Sequence, residues 1–336
     1  MSTELSFEYM ALALEATRGT AIATPTHYLP FSGTITPAQS FYRPAESRGH
    51  LAEYTRSKIV RRSSEWSGEG GADPNYAPLM FNLVTKGGVV APTTPTNAVL
   101  SRLWTFVPTL TGDDLQSATM FFGDPNTQIW RSTYCMANDF SISADASGED
   151  GATWSISGTG KFASQVADPV LPAQSVGDLL MPGAMQVSLD TSLAIGTTAL
   201  TGRVVSADFS INNNIGYKYL AQGPTSDLSF AKIGRGKRHA ESVVVFELDD
   251  MAQYDLWANG APVKMRVRLN GDLIETQAAT PFFSYIEWDI YGTLDSMAWG
   301  ENASTNRTIS LTVMSEYNTV AGHDYALRVQ NARTTL

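Results

Sequence analysis

Only one cysteine, Cys135, occurs in the 336 residues, so no internal disulfide can form and the chain suits a reducing compartment during synthesis. Histidine is nearly as scarce. His27, His50, His239 and His323 are the whole set, and none lies at metal-ligand spacing from another histidine or from Cys135. The GxSxG elbow, the P-loop, HExxH and CxxC are all missing. No apolar run is long enough to cross a bilayer. The opening "MSTELSFEYMALALEATRG" places acidic residues ahead of its apolar run, without a basic n-region, and so does not read as a secretory signal. Charged residues make up 17% of the chain and hydrophobic ones 43%, the balance of a folded chain rather than a disordered one.

The residues that remain for chemistry have plainer readings. Asp113-Asp114 and Asp249-Asp250 are adjacent in sequence and do not face one another as a catalytic carboxylate pair would; the second pair stands where a helix needs a cap. "GDPNTQ" at Gly123–Gln128 has too few acidic ligands for a calcium loop and reads as a turn. Cys135, within "WRSTYCMANDF", reads as a small buried hydrophobe. The sequons at Asn302 and Asn306 read as chance matches in a polar turn. The expectation is a protein that is not an enzyme and holds no cofactor and no metal.

What is abundant is glycine, at 27 residues, among alternating apolar and polar stretches that favour strands and turns. The length suits about two domains. "SQVADPVLPAQSVGDLLMPG", broken by Pro169, Pro172 and Pro182, reads as a semi-rigid linker. The expected division is a first domain at 1–168, a linker at 169–182 and a second domain at 183–336. Each half shows a strand, a long polar excursion, a second strand, a helix and further strands. The first helix is expected in "DPNYAPLMFNLVTKGG", capped by Asp73, with Tyr76, Leu79, Met80 and Leu83 on one face and Gly87 at its end. The second is expected in "DDMAQYDLWANG", capped by Asp249 or Asp250 and ended by Asn259-Gly260. The fold class is mainly β: two tandem antiparallel sandwich or barrel domains, each with one flanking helix and one long inter-strand loop. Sliding one half over the other by 174 positions puts Lys58, Ile59 and Arg61 on Lys232, Ile233 and Arg235.

Positive charge is gathered where those excursions end. Although the formal net charge is -10, Arg56, Lys58, Arg61 and Arg62 fall within seven residues, as do Lys232, Arg235, Lys237 and Arg238. Basic clusters can neutralise phosphates, but each stretch offers only Tyr54 or Phe230 as a stacking aromatic. Basic loops on an acidic protein also suit the acidic surface of an identical neighbour, which gives head-to-tail assembly.

The opening "ALEATRGTAIATP", a first strand followed by the loop Gln39–Arg62, the "SSEWSGEGG" strand, the helix "DPNYAPLMFNLVTKG" and the hairpin "DFSISADASGEDGATWSISGTGKF" together resemble the major tail tube proteins of long-tailed bacteriophages. The resemblance covers most of the first half; the second follows by order of elements. It implies a structural virion protein of the tail, made in the host bacterial cytoplasm, that stacks as rings into a tube passing DNA during ejection. It implies self-association as trimeric rings of pseudo-sixfold symmetry, tape-measure and tail-tip or terminator proteins as partners, DNA as transiting cargo, and no membrane. A tube that passes DNA quickly should repel phosphate along its wall, and an acidic subunit suits that. The eight basic side chains named above then belong to the contacts between rings. A secreted adhesin or carbohydrate-binding sandwich, a tail terminator and a decoration protein are the other readings.

Overall fold

The computed structural model of the chain describes residues 8–45, 53–54, 56–85, 91–109, 112, 115–172, 177–191, 194–221, 223, 227–249, 251–301 and 306–336. His50, Gly87, Asp113-Asp114, Asp250 and the sequon at Asn302 lie outside them.

The first half runs β1 (Tyr9–Leu14), β2 (His27–Leu29), β3 (Ser32–Tyr42), β4 (Lys58–Gly71), helix α1 (Ala77–Val84), β5 (Arg102–Phe106), β6 (Ala118–Asp124), β7 (Gln128–Asp145), β8 (Thr153–Gly160) and β9 (Ser164–Val166). The second runs β10 (Met185–Asp190), β11 (Val204–Asn212), β12 (Ile215–Lys218), β13 (Lys232–Arg235), β14 (His239–Glu247), helix α2 (Ala252–Ala258), β15 (Pro262–Gln277), β16 (Thr280–Glu301), β17 (Arg307–Ser315) and β18 (Tyr325–Asn331). The protein is mainly β, and every named strand pairing is antiparallel.

Period-two patterning builds these strands. In β7, Phe140, Ile142 and Ala144 are buried while Ser141, Ser143 and Asp145 face away; Trp154 and Ile156 answer them on β8. β1, which carries no polar alternation, is almost wholly buried, and periodicity alone gives it no sign of being a strand. On β15, β16 and β18 the side away from the core carries charge. Arg266 bonds Asp289 at 2.7 Å, Arg268 meets Glu287 at 2.5 Å, and Arg328 meets Glu287 at 2.9 Å as well as Asp289. The two carboxylates are buried, so their charge is held by three guanidiniums.

The long polar excursions are partly strand. Gln39–Tyr42 and Lys58–Arg62 belong to the β3–β4 pair and form a projecting arm. In the second half β12 pairs with β13 as a separate hairpin, which folds back over the first half. Its Ile215, Tyr217, Tyr219 and Ile233 cover Leu115, Tyr134, Met136 and Phe230.

Both helices are shorter than the sequence suggests. α1 begins at Ala77, because Pro78 lacks the amide that would bond back along the helix and is tolerated only in the first turn. Asp73 instead holds a turn, accepting the Asn75 amide at 2.8 Å. α1 is buried on all sides, with Phe81 edge-on to Phe106 and Phe140 at 5.9 and 5.8 Å. α2 begins after Met251 with no side-chain cap; Asp249 turns to Arg203 at 3.3 Å. Gly260, at φ +60, ends it as expected. Of α2 only Gln253 is buried.

The strand order repeats. One run is β3-β4-β8-β7 and the other β11-β14-β17-β16. A bulge interrupts β7 between Ala137 and Asp139, opposite Gly158 and Ser157; another interrupts β16 between Leu294 and Ser296, opposite Val313 and Thr312. β7 pairs with β11, with Ile142 opposite Phe209, so the two runs form one continuous eight-stranded sheet. β18 pairs with β5, a second bond between the halves. The stretch between them is not all extended linker: Ser164–Val166 pairs with β7, and buried Leu180 accepts the Ala152 amide at 2.9 Å.

Candidate functional site

The eight-stranded sheet has one face in the core and one in solvent. Because alternate residues point to the same side, the open face is read directly from the register. It carries Thr34 and Thr36; Glu65, Ser67 and Glu69; Ser155 and Ser157; Asp139, Ser141, Ser143 and Asp145; then Ser206, Asp208 and Ser210, and beyond them Glu241, Ser310 and Thr312. With Glu247 that makes seven carboxylates among hydroxyls, and the same register puts Val243, Val245 and Met314 on this side. From Ser32–Ala38 at one edge to Ser296–Gly300 at the other, the described face holds no lysine or arginine; Arg61 appears only where β3 and β4 run out into the arm.

The face is hollowed. A depression of about 580 Å³ lies across Thr34, Ser67, Glu69, Asp139, Ser155 and Ser210. Its polar side chains bond one another: the Ser141 and Ser155 hydroxyls lie 2.9 Å apart, the Asn212 amide donates to Asp139 at 2.5 Å, and Ser210 donates to Glu241 at 3.3 Å. At the rim, the side chain and amide of Ser147 hold the Asp145 carboxyl below the usual carboxylate range. The surface is polar and negative.

The two basic stretches come to lie near each other but do different things. Arg238 is drawn into the fold, paired with Asp324 at 2.7 Å and lying over the Tyr325 ring. Arg235 donates to the Asn213 side chain at 2.7 Å, and Arg62 lies over Phe162. Arg61 is exposed and stacks its guanidinium over Tyr219 of the other stretch, 4.9 Å from the ring centroid. Arg56, Lys58, Lys232 and Lys237 are exposed.

Among the described residues no group of three or more His, Cys, Asp or Glu could hold a metal ion. Cys135 is buried, and burial pushes its thiol up to about 12. Asp124 closes the "GDPNTQ" turn by accepting the Asn126 amide at 2.8 Å.

A family model described as "Phage tail tube protein" matches residues 8–315. The chain belongs to that family. It is therefore a structural component of the virion tail that self-assembles into a tube. Among solved structures, the tail tube of phage SPP1, from solid-state NMR and cryo-electron microscopy, aligns at a TM-score of 0.29 with 12% sequence identity, covering 46% of this chain and 80% of that one. A comparison with curated proteins finds no match. No helix among the described residues is long and apolar enough to cross a membrane.

Sequence reasoning missed Glu65, Asp139, Asp208 and Glu241 because each is one polar residue in a strand alternation. Only the pairing of β7 with β11 shows that they share a surface.

Proposed function

We propose that three copies close a ring in which the acidic face of each eight-stranded sheet lines the channel for DNA. The observation that carries this is that face: seven carboxylates among hydroxyls and, among the described residues, no lysine or arginine until Arg61. Duplex DNA brings one negative charge per ~1.7 Å of axis. A wall of the same sign keeps it off the surface, so DNA passes as cargo and is not bound.

Residues 1–168 and 183–336 act as two equivalent units joined through 169–182. Their strand order, their matching bulges and the β7–β11 junction support this. Three chains then supply six units to a ring. The protein works without catalysis. Rings stack through the exposed cations Arg56, Lys58, Lys232 and Lys237, which meet carboxylates of the neighbouring ring, while Arg61, Arg62, Arg235 and Arg238 brace the bases of the arms within the chain. Tape-measure, tail-tip and terminator proteins meet the bore and ends of the tube.

Native mass spectrometry with electron microscopy of the purified protein tests the assembly. Rings of three times the 36.4 kDa chain mass, stacking into tubes, are expected; rings of six chains, or particles that never stack, contradict it.

A further inference from the structure

Among the described residues the eight-stranded sheet leaves two edges without a partner strand: the outer side of β3, and the last part of β16 from Ser296 to Glu301, which pairs with β17 alone. These edges are the counterparts of the two strands that meet inside the chain. β11 stands to β14 as β3 stands to β4, and β16 stands to β17 as β7 stands to β8. Counting from the matched bulges, Phe140 corresponds to Met297 and Ile142 to Trp299, while the 174-residue spacing takes Phe209 to Ile35.

The corresponding residues differ in burial in one consistent direction. Ile142 is 0% exposed under the β7–β11 junction, whereas Trp299 is 48% exposed, stacked on Tyr254 with Arg307 over its ring. α1, beside that junction, is wholly buried; α2, beside Trp299, is not. At the first bulge the extra residue is Asn138, whose side-chain oxygen accepts the Ile215 amide at 2.9 Å and anchors the β12–β13 arm. At the second bulge the extra residue is Asp295, exposed.

The arms follow the same rule. Phe41 lies opposite Ile59 as Tyr217 lies opposite Ile233. Tyr217 and Ile233 are packed on Tyr134, yet Phe41 is 49% exposed. Tyr291 stands three residues before the Leu294 bulge position, as Tyr134 stands three before Ala137. Tyr291 is buried with its ring against His323 at 5.1 Å, and its carbonyl accepts the Glu316 amide at 2.7 Å; the chain beyond Glu316 exposes Tyr317 and Val320.

We infer that the partner of the β16 edge is β3 of a second copy, in the register of the β7–β11 junction: Trp299 opposite Ile35, Ala298 opposite Thr36 and Met297 opposite Pro37. Asp295 holds the incoming arm as Asn138 does, and the Phe41–Ile59 side of that arm seats on Tyr317 and Val320. The arm's apolar side is thus a lateral clasp within the ring, which leaves its Tyr42–Lys58 side to face the next ring. This rests on the ring reading above and assigns its contact residue by residue.

Opposed residues in antiparallel strands lie ~4.5–5.5 Å apart between Cα atoms, inside the ~4.4–6.8 Å that a disulfide spans. Chains carrying both T36C and A298C should therefore give covalent dimers and trimers under mild oxidation. Chains with either substitution alone should not, since Cys135 is buried. A displaced pair, T34C with A298C, should link at least ten-fold less. Cross-linking stronger in the displaced pair, or absent from assembled tubes seen by microscopy, overturns the register while leaving the ring. Wild-type protein that forms no ring overturns both. Acrylamide quenching gives an independent reading on unlinked protein: the difference between wild type and W299F should lose at least half its quenching on assembly, and an unchanged difference overturns the burial of Trp299.

Discussion

The side-chain amide of Asn213, from the second half of the chain, donates to the carbonyl of Val84 at the C-terminal end of α1, at 2.8 Å. The same nitrogen reaches the Ala137 carbonyl at 3.1 Å, and Arg235 holds the side-chain oxygen. One buried asparagine thus satisfies an open helix end and a bulged strand across the junction of the halves. Replacing Asn213 by alanine strands two buried carbonyls, at a cost of about 1–3 kcal/mol. Urea unfolding should show the loss, and an unaltered midpoint would contradict the bracing role.

The basic stretches should separate by mutation. Arg238 and Asp324 are nearly buried, with side-chain exposures of 11% and 13%. R238A leaves that carboxylate without its partner, a change worth about 3–5 kcal/mol. Charge reversal at Lys232 and Lys237 should leave the melting temperature within about 1 °C, since exposed pairs contribute ~1 kcal/mol or less, but should stop tube growth. Calorimetry and sedimentation read the two effects. Equal destabilisation by both changes would contradict the division of roles.

Cys135 should be chemically silent. With its thiol pushed up to about 12 by burial, almost none is thiolate at pH 8, and the thiolate is the nucleophile. A colorimetric thiol assay should give no rapid reaction in native protein and one equivalent after denaturation. Rapid labelling of native protein would contradict the buried setting.

The wall makes a prediction about DNA. Lysine at Asp139, Asp208 and Glu241 together should leave folding and tube formation in place, because all three lie on the open face. Tubes of the variant should retain short duplex DNA at low salt and release it as salt rises, whereas wild-type tubes retain none. Equal retention by both would remove these residues from the channel.

How much of this was legible in the sequence follows from the range of the interactions involved. Alternation in "DFSISADA" and "ATWSISGTG" marks β7 and β8, because each strand has one wet and one dry side. Gly260 marks the end of α2, because a left-handed residue there is a local requirement. The start of α1 lies three residues later than the sequence suggests, with Tyr76 and not Asp73 at the cap, since Asp73 offers a local cap while Pro78 limits how far back the helix can reach. β1 was missed because it is buried on both faces and shows no period. The basic stretches were seen as two like clusters, but charge alone does not tell an arginine held by Asp324 from a lysine in solvent. The joined sheet could not be read at all: the pairing of Ile142 with Phe209 spans the intervening chain and leaves no local mark.

Cryo-electron microscopy of assembled tubes, at a resolution that separates strands, tests the central claim most directly. The bore is expected to be lined by the open face of the eight-stranded sheet, with Glu65, Asp139, Asp208 and Glu241 pointing to the axis and Ile142 and Phe209 away from it. A map in which that face lies on the outside of the tube, or between stacked rings, would contradict it.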